Sequence, residues 1–238
     1  FAAELSDFLE EDLEKSYPNI AKLATITLVE AGNNILNTFD QKLSEYARNH
    51  FERLKIKLLL NAPVQRVMAD KIVLSDETEI QYGLLVWSTG NGPTDFVKSL
   101  PYPKDRTGRL LTTENFLIPG KDSIFAIGDC ATLEQRELPA TAQVAMQGGK
   151  FLAAFLNGHE NYSDEFDHKF KYKHLGMLAY IGKNRALADL QYAKTGGFST
   201  WVFWRSAYLT RLVSLKNKLL VLFDWIKTGI FGRDISRF

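Results

Sequence analysis

Apolar and polar positions along this chain follow two rhythms, one close to the helical period and one of short extended runs. In the first segment Phe1, Leu5, Phe8, Leu9 and Leu13 recur at helical spacing, with Glu4, Asp7, Glu11 and Glu14 around the other side. The pattern predicts an amphipathic helix that holds its carboxylates in water, and because no capping residue precedes it the chain is expected to be a fragment starting inside a helix. Tyr17, Pro18 and Asn19 break the pattern, and Ala24–Glu30 (ATITLVE) reads as a buried strand ending on an acid. Asp40–Leu54 predicts a helix with Leu43, Tyr46, Ala47 and Leu54 inward. Ile56–Leu60, Val64–Ala69 and Lys71–Leu74 predict short strands, the last two a meander. Leu84–Trp87 is wholly apolar, as expected of a strand buried on both faces, and runs into the loop Ser88 to Pro93.

From Val97 to Gly120 Pro, Lys, Asp, Arg and Gly dominate, which predicts a linker. Ser123–Ile127 is a β-favouring run broken by Gly128, with Asp129 next and an Ala-rich helix from about Thr141 to Asn157. His159–His168 is polar and reads as a loop. Gly176–Ile181 and Arg185–Leu190 flank Gly182, Lys183 and Asn184, a hairpin signature, and Gly196 and Gly197 read as a hinge. In the tail, from Thr200 to Arg237, aromatic and aliphatic residues mix with basic ones at helical spacing, predicting a helix pair.

Composition narrows this picture. With 238 residues and 45% hydrophobic content the chain can bury a core, and a net charge of +1 recruits no nucleic acid. The charge is uneven: seven Lys or Arg in the tail face Asp224 and Asp234, a local surplus of +5. That fits a helix pair lying in a membrane interface, where each basic residue near an anionic surface contributes about 1 kcal/mol, and no uncharged run approaches the roughly 20 residues a span requires. A core or dimer-forming helix accounts for the same pattern. The single cysteine, Cys130, excludes an intrachain disulfide and reads as a small buried filler, and no histidine shows metal-ligand spacing, so no metal site is expected.

The chemistry concentrates around Asp129. A strand ending on a carboxylate beside a helix start places an acceptor for ligand hydroxyls at the carboxyl end of a sheet, and the helix adds the positive end of its dipole. An ordinary turn that Asp129 caps is the competing reading. Glu30, at the end of its strand, has the position of a carboxylate that binds the ribose hydroxyls of a dinucleotide, or of a surface acid.

IFAIGDC followed by LPATAQVAMQGGK resembles the second flavin-contacting segment of the two-dinucleotide-binding-domain flavoprotein oxidoreductases, and within them the type II (alternative, rotenone-insensitive) NADH dehydrogenases. VEAGNNIL, YKHLGMLAYIGKNRALADL and the ending FWRSAYLTRL through FDWIKTGIFGRDISRF extend the likeness over essentially the whole chain. The resemblance implies an α/β, Rossmann-like fold with a C-terminal amphipathic membrane anchor. It divides the chain into the remainder of an NADH-binding domain (1–97), the last part of an FAD-binding domain (98–170), and a C-terminal hairpin with anchoring helices (171–238). It implies FAD held by Gly128, Asp129, Ala142, Gln143 and Val144, and NADH held by Glu30, Thr89 and Gly90. Gln143, Met146, Gln147, Trp204 and Tyr208 would face ubiquinone, with Gln143 bridging flavin and quinone. It further implies a peripheral homodimer on the mitochondrial inner membrane that does not pump protons. The glycine fingerprints of both nucleotide sites are expected outside these residues, which leaves open a catalytically silent, membrane-docked subunit with half the fold.

Overall fold

The computed structural model describes residues 1–158, 169–212 and 214–233. The predicted loop at 159–168 lies outside them. By packing, the chain forms two compact units, one made of Phe1–Leu85 with Gly176–Phe238 and one of Val86–Leu175.

In the first unit the opening helix, α1 (Ala2–Asp7), widens into a π-helical turn over Phe8–Leu13 before α2 (Glu14–Ser16) and α3 (Pro18–Ala21). The expected faces hold for Glu4, Glu11 and Glu14, which are exposed, and for Leu5, Phe8, Leu9 and Leu13, which are half-buried, but Asp7 is 1% exposed and Asp12 8%, whereas Phe1 is 69% exposed. The wide turn shifts the register after Asp7 and so turns Asp12 inward, while Asp7 is drawn in by the Tyr180 hydroxyl and the Lys183 amide that it accepts from. β1 (Thr27–Val29) pairs in parallel with β2 (Lys57–Leu59). Between them runs α4 (Gln41–Arg53), capped by Asp40, whose carboxylate accepts from the Lys42 amide at 2.9 Å. β3 (Val64–Val67), β4 (Lys71–Leu74) and β5 (Glu79–Gln81) form an antiparallel meander with one strand more than the sequence pattern suggests. Leu84–Trp87 is not a strand buried on both faces: it is irregular, and Trp87 is 55% exposed. No strand among the described residues pairs with it, so its apolar character finds no sheet to bury it.

The same unit resumes with β8 (Met177–Gly182) and β9 (Arg185–Asp189), an antiparallel hairpin closed by Lys183 (φ 49°) and Asn184 (φ 54°), the two left-handed residues a two-residue turn requires. Gly196 and Gly197 are no hinge; they lie in a third strand, β10 (Lys194–Gly197), paired with β9. Gly196 belongs there because a Cβ would stand 3.0 Å from Leu187 and 3.3 Å from the Tyr46 ring. α4 lays Leu43, Ala47 and Phe51 against Ile181 and Leu187 in the main core of this unit. α7 (Phe198–Arg211) and α8 (Leu215–Phe231) complete it as the predicted helix pair.

In the second unit the expected linker is folded. It contains α5 (Asp95–Ser99) and β6 (Leu110–Thr112), which pairs in parallel with β7 (Ala131–Leu133). Its organiser is Arg109, buried and bonded to Asp105 Oδ2 at 2.9 Å, Glu137 Oε1 at 2.7 Å and the Leu138 carbonyl at 2.7 Å. Ser123–Ile127 is not a regular strand; it makes one bridge, Leu117 to Phe125, and the strand follows Asp129 instead of preceding it. The Ala-rich helix is α6 (Ala142–Gly158), within a residue of its predicted bounds. Phe116, at φ 65°, inserts its ring beneath α6 among Phe151 and Phe170, and Gly148 accommodates it because a Cβ there would come within 3.2 Å of the Phe116 ring.

Candidate functional site

Gly128–Cys130 form a single 3-10 turn that leads directly into β7. Gly128 has φ +80°, a conformation glycine adopts without cost, and its Cβ position is 3.8 Å from that of Ala145. The Gly-Asp turn therefore lies against the first turn of α6. Asp129 is exposed, and among the described residues its carboxylate makes no hydrogen bond or ion pair. At the helix start Thr141 bonds the Val144 amide through Oγ1 at 3.5 Å and the Ala145 amide through its carbonyl at 3.1 Å, while Val144 itself is buried. Arg109 and Thr132, whose Oγ1 accepts from the Leu138 amide at 2.9 Å, hold the loop that delivers the chain to this helix. An uncommitted acceptor beside a helix N-terminus suits a ligand that carries both hydroxyls and developing negative charge.

Further along α6 the two glutamines have partners in the chain. Gln143 Oε1 accepts from the Leu175 amide at 3.1 Å. Gln147 accepts from the Lys173 amide at 3.0 Å and donates to the Lys173 carbonyl at 2.9 Å. Together they fasten the extended segment Lys173–Leu175 along the helix. Met146 is 56% exposed. Cys130 is partly exposed, its thiol directed at the Ile127 carbonyl at 3.3 Å. The structure thus brings Gly128, Asp129, Ala142, Gln143, Val144, Met146 and Gln147 into one neighbourhood. Thr89 and Gly90 belong to this unit too, in an exposed loop where Gly90 has φ +77°.

In the other unit Glu30 follows β1. Its Oε1 accepts from the Gly32 amide at 2.7 Å, and a Cβ on Gly32 would stand 3.2 Å from that oxygen and 3.0 Å from Asn37 Nδ2, so glycine leaves room for both side chains. This arrangement aims the carboxylate, and Oε2 accepts no hydrogen bond among the described residues. Trp204 and Tyr208 are brought together on α7, ring centres 6.2 Å apart and 25° from parallel. Tyr180 stacks on Trp204 at 5.7 Å.

Sequence reasoning missed Asp7, which accepts from the Tyr180 hydroxyl and from the Lys183 amide at 3.0 Å. Burial and then the Asp7 carboxylate raise the Tyr180 phenol well above its usual range. Asp12 faces Arg233 Nε at 3.5 Å, and burial together with Asp7 raises Glu11 beside it. The paired acids in SDFLEEDL were the available signal, but helical spacing assigned them to water. Among the described residues no group of three or more ligating side chains could hold a metal, and no helix is long and apolar enough to cross a membrane.

Residues 2–149 match the family described as pyridine nucleotide-disulphide oxidoreductase, and residues 174–234 match the NDH2 C-terminal domain. The chain is 44% identical over 256 residues to the internal alternative NAD(P)H-ubiquinone oxidoreductase A1, mitochondrial, of Solanum tuberosum, an alignment covering 100% of this chain and 51% of that protein. To the external NADH-ubiquinone oxidoreductase 2, mitochondrial, of Saccharomyces cerevisiae it is 38% identical over 273 residues, covering 99% of this chain and 50% of that one. The fold is that of NDH2 from Plasmodium falciparum, solved in complex with NADH, at a TM-score of 0.90 and 24% identity over 98% of this chain and 63% of that one. The chain spans about half the length of the curated relatives it matches.

Proposed function

Because the chain belongs to the pyridine nucleotide-disulphide oxidoreductase family and carries an NDH2 C-terminal domain, we propose that it is the C-terminal part of a mitochondrial-type NADH:ubiquinone oxidoreductase of type II, a flavoprotein that pumps no protons. The observation that carries this reading is the contact between the Gly128–Asp129 turn and the first turn of α6, which offers an uncommitted carboxylate and a positive helix end side by side. These residues fit FAD. When bound, the flavin supplies the hydride chemistry that links NADH to a quinone.

The chain's own residues have distinct jobs in this reading. Asp129 accepts from the hydroxyls of the ribityl chain, and Gly128 lets the backbone come close. The N-terminus of α6, at Ala142, Gln143 and Val144, stabilises negative charge that develops there during reduction. Gln143, with Met146 and Gln147, borders the place where the quinone ring is received. Glu30 accepts from the ribose of NADH and repels the 2′-phosphate of NADPH, while Gly90 keeps the backbone beside Thr89 open to the nicotinamide. Residues 1–97 serve the NADH domain, 98–170 the FAD domain, and 171–238 the membrane side.

The membrane reading has support in the last helix. Leu219, Leu220, Phe223, Ile226, Ile230 and Phe231 of α8 are all exposed, with Lys216, Lys218 and Lys227 among them, as suits a helix lying in a membrane interface. Trp204 and Tyr208 would admit ubiquinone there, on a homodimer bound peripherally to the mitochondrial inner membrane. Two-stranded parallel pieces such as β1–β2 and β6–β7 occur as parts of larger covered sheets, which favours a chain completed by further sequence over a self-sufficient scaffold.

The test is flavin content. In the full-length protein Asp129→Ala removes the acceptor of buried hydroxyls at a cost of about 1 to 3 kcal/mol, so the purified variant should lose most of its flavin absorbance. A variant with parental flavin content would overturn the assignment.

A further inference from the structure

We propose that Asp7 and Tyr180 are positioning residues for quinone reduction, fixing the plane of the aromatic column that ends at Tyr208. The inference rests on the reading of Trp204 and Tyr208 as the quinone entrance, and adds to it two residues that reading does not include.

The column starts from a buried charge. Asp7, 1% exposed at the end of α1, accepts from the Lys183 amide at 3.0 Å through Oδ1 and at 3.2 Å through Oδ2, and Oδ2 also accepts from the Tyr180 hydroxyl. The hydroxyl in turn accepts from the Asn184 amide at 3.3 Å. Tyr180 is therefore held at its far end by both the opening helix and the turn of the β8–β9 hairpin. Its ring lies 5.7 Å from Trp204 and 26° from parallel, and Trp204 lies 6.2 Å from Tyr208 and 25° from parallel. Tyr208 itself is exposed. One line of nearly parallel rings thus connects a buried carboxylate to the surface.

A carboxylate is an expensive choice for this place. The nearby cations make their direct contacts elsewhere, Lys183 Nζ pairing with Glu10 and Arg185 donating to the Tyr46 hydroxyl at 3.0 Å, so among the described residues the direct contacts of the Asp7 carboxylate are hydrogen bonds and not ion pairs. What the charge supplies is a stronger bond: hydrogen bonds to ionised acceptors are about twice as strong as neutral ones. Held this way, the Tyr180 hydroxyl has a partner on either side, which favours one orientation of its ring and of the indole and phenol stacked on it at about 25°. A quinone is a flat ring and is admitted best between walls of fixed plane. Loosening the foot of the column should weaken quinone capture without touching hydride transfer from NADH.

The experiment uses the full-length flavin-loaded enzyme with Tyr180→Phe, Asp7→Asn, the double variant, and Trp204→Ala. NADH oxidation is measured against a short-chain ubiquinone and against ferricyanide. Tyr180→Phe keeps the ring and loses only the hydroxyl; it should raise KM for the quinone about three- to tenfold, the size of one lost hydrogen bond, with flavin content and ferricyanide turnover unchanged. Asp7→Asn should raise that KM at least as much, since it also disturbs the bonds from the Lys183 amide, and the double variant should cost less than the two singles combined, because they share the Tyr180–Asp7 hydrogen bond. If Trp204→Ala leaves quinone kinetics parental, the entrance reading fails and this proposal with it. If Trp204→Ala raises KM while Tyr180→Phe does not, the entrance stands and the positioning role is wrong. A parallel fall of quinone and ferricyanide rates in Tyr180→Phe would also overturn it, since that is the mark of a general structural defect. Should Asp7→Asn lose its flavin, Tyr180→Phe decides alone.

Discussion

The guanidinium of Arg205 lies 4.4 Å from the centre of the Trp225 ring and joins α7 to α8; Trp201 lies 4.6 Å from the same group. Burial pulls its pKa below the usual arginine value. Counted by sequence, Arg205 is one of seven basic residues facing an anionic surface, but the structure uses its charge inside the helix pair.

Arg205→Ala should therefore destabilise the protein by about 1 to 2 kcal/mol, the sum expected of two partly desolvated cation–π contacts. Thermal unfolding should register it, together with a change in tryptophan emission. Lys218→Ala should leave the melting temperature alone and lower the salt-sensitive part of binding to anionic vesicles. Equal effects of the two substitutions on both readouts would refute this division of labour.

Among the described residues the Glu30 carboxylate accepts one hydrogen bond, from the Gly32 amide at 2.7 Å. Glu30→Gln keeps an acceptor for that amide and removes the charge. The preference for NADH over NADPH, as a ratio of kcat/KM, should fall by about tenfold, the worth of roughly 1.4 kcal/mol. An unchanged ratio would remove Glu30 from the nucleotide site.

His50 is buried, and its Nε2 lies 3.2 Å from the Gly182 carbonyl, which can only accept, so Nε2 carries the proton of a neutral ring. Burial, despite the Gly182 bond and with Arg185 and Arg53 adding to it, pushes its pKa below the usual 6.5. The unfolded chain binds this proton more readily, so the stability contributed is fully present above about pH 6.5 and is lost as pH falls toward the depressed value. Denaturant midpoints measured from pH 7.5 to 5 should drop less in His50→Gln than in the parent. Parallel curves would show that His50 does not govern the acid limb.

Truncation separates the two tail helices. Thr200 is 2% exposed, so a deletion starting there would open the core, whereas α8 has no buried residue among those described. Deleting residues 215–238 should leave a protein that keeps its flavin and reduces ferricyanide at near-parental rate, with vesicle binding reduced severalfold or more by loss of apolar area at roughly 25 cal/mol per Å². Loss of flavin in that variant would show that α8 supports the fold.

Much of this was legible in the residues. α4, α6 and the hairpin announce themselves because each combines a clear period with its own punctuation: Asp40 as cap, Thr141 before the Ala run, Lys183 and Asn184 in the turn. The Gly128–Asp129 pair was misplaced as structure, because its β-favouring flank pairs only through one bridge and the strand lies on its other side. The segment from Val97 to Gly120 looked like a linker since its order depends on Arg109, whose partners Glu137 and Leu138 are far away in sequence. Gly196 and Gly197 read as flexible for want of the Tyr46 and Leu187 side chains that they make room for.

The wide turn over Phe8–Leu13 has its own arithmetic. In an α-helix two residues five positions apart diverge by about 140°, yet Asp7 and Asp12 are both turned inward, one to Tyr180 and the other to Arg233. The extra residue acts as a phase shim. Removing one residue from the turn, Leu9 for example, would return it to ordinary pitch with the two acids four positions apart, about 40° from one another and still on one side, whereas straightening the turn at its present length would part them by about 140°. The spacing of these two acids is therefore tied to the pitch of the segment between them: five positions apart they share a side only across the wide turn, and four positions apart an ordinary helix would serve.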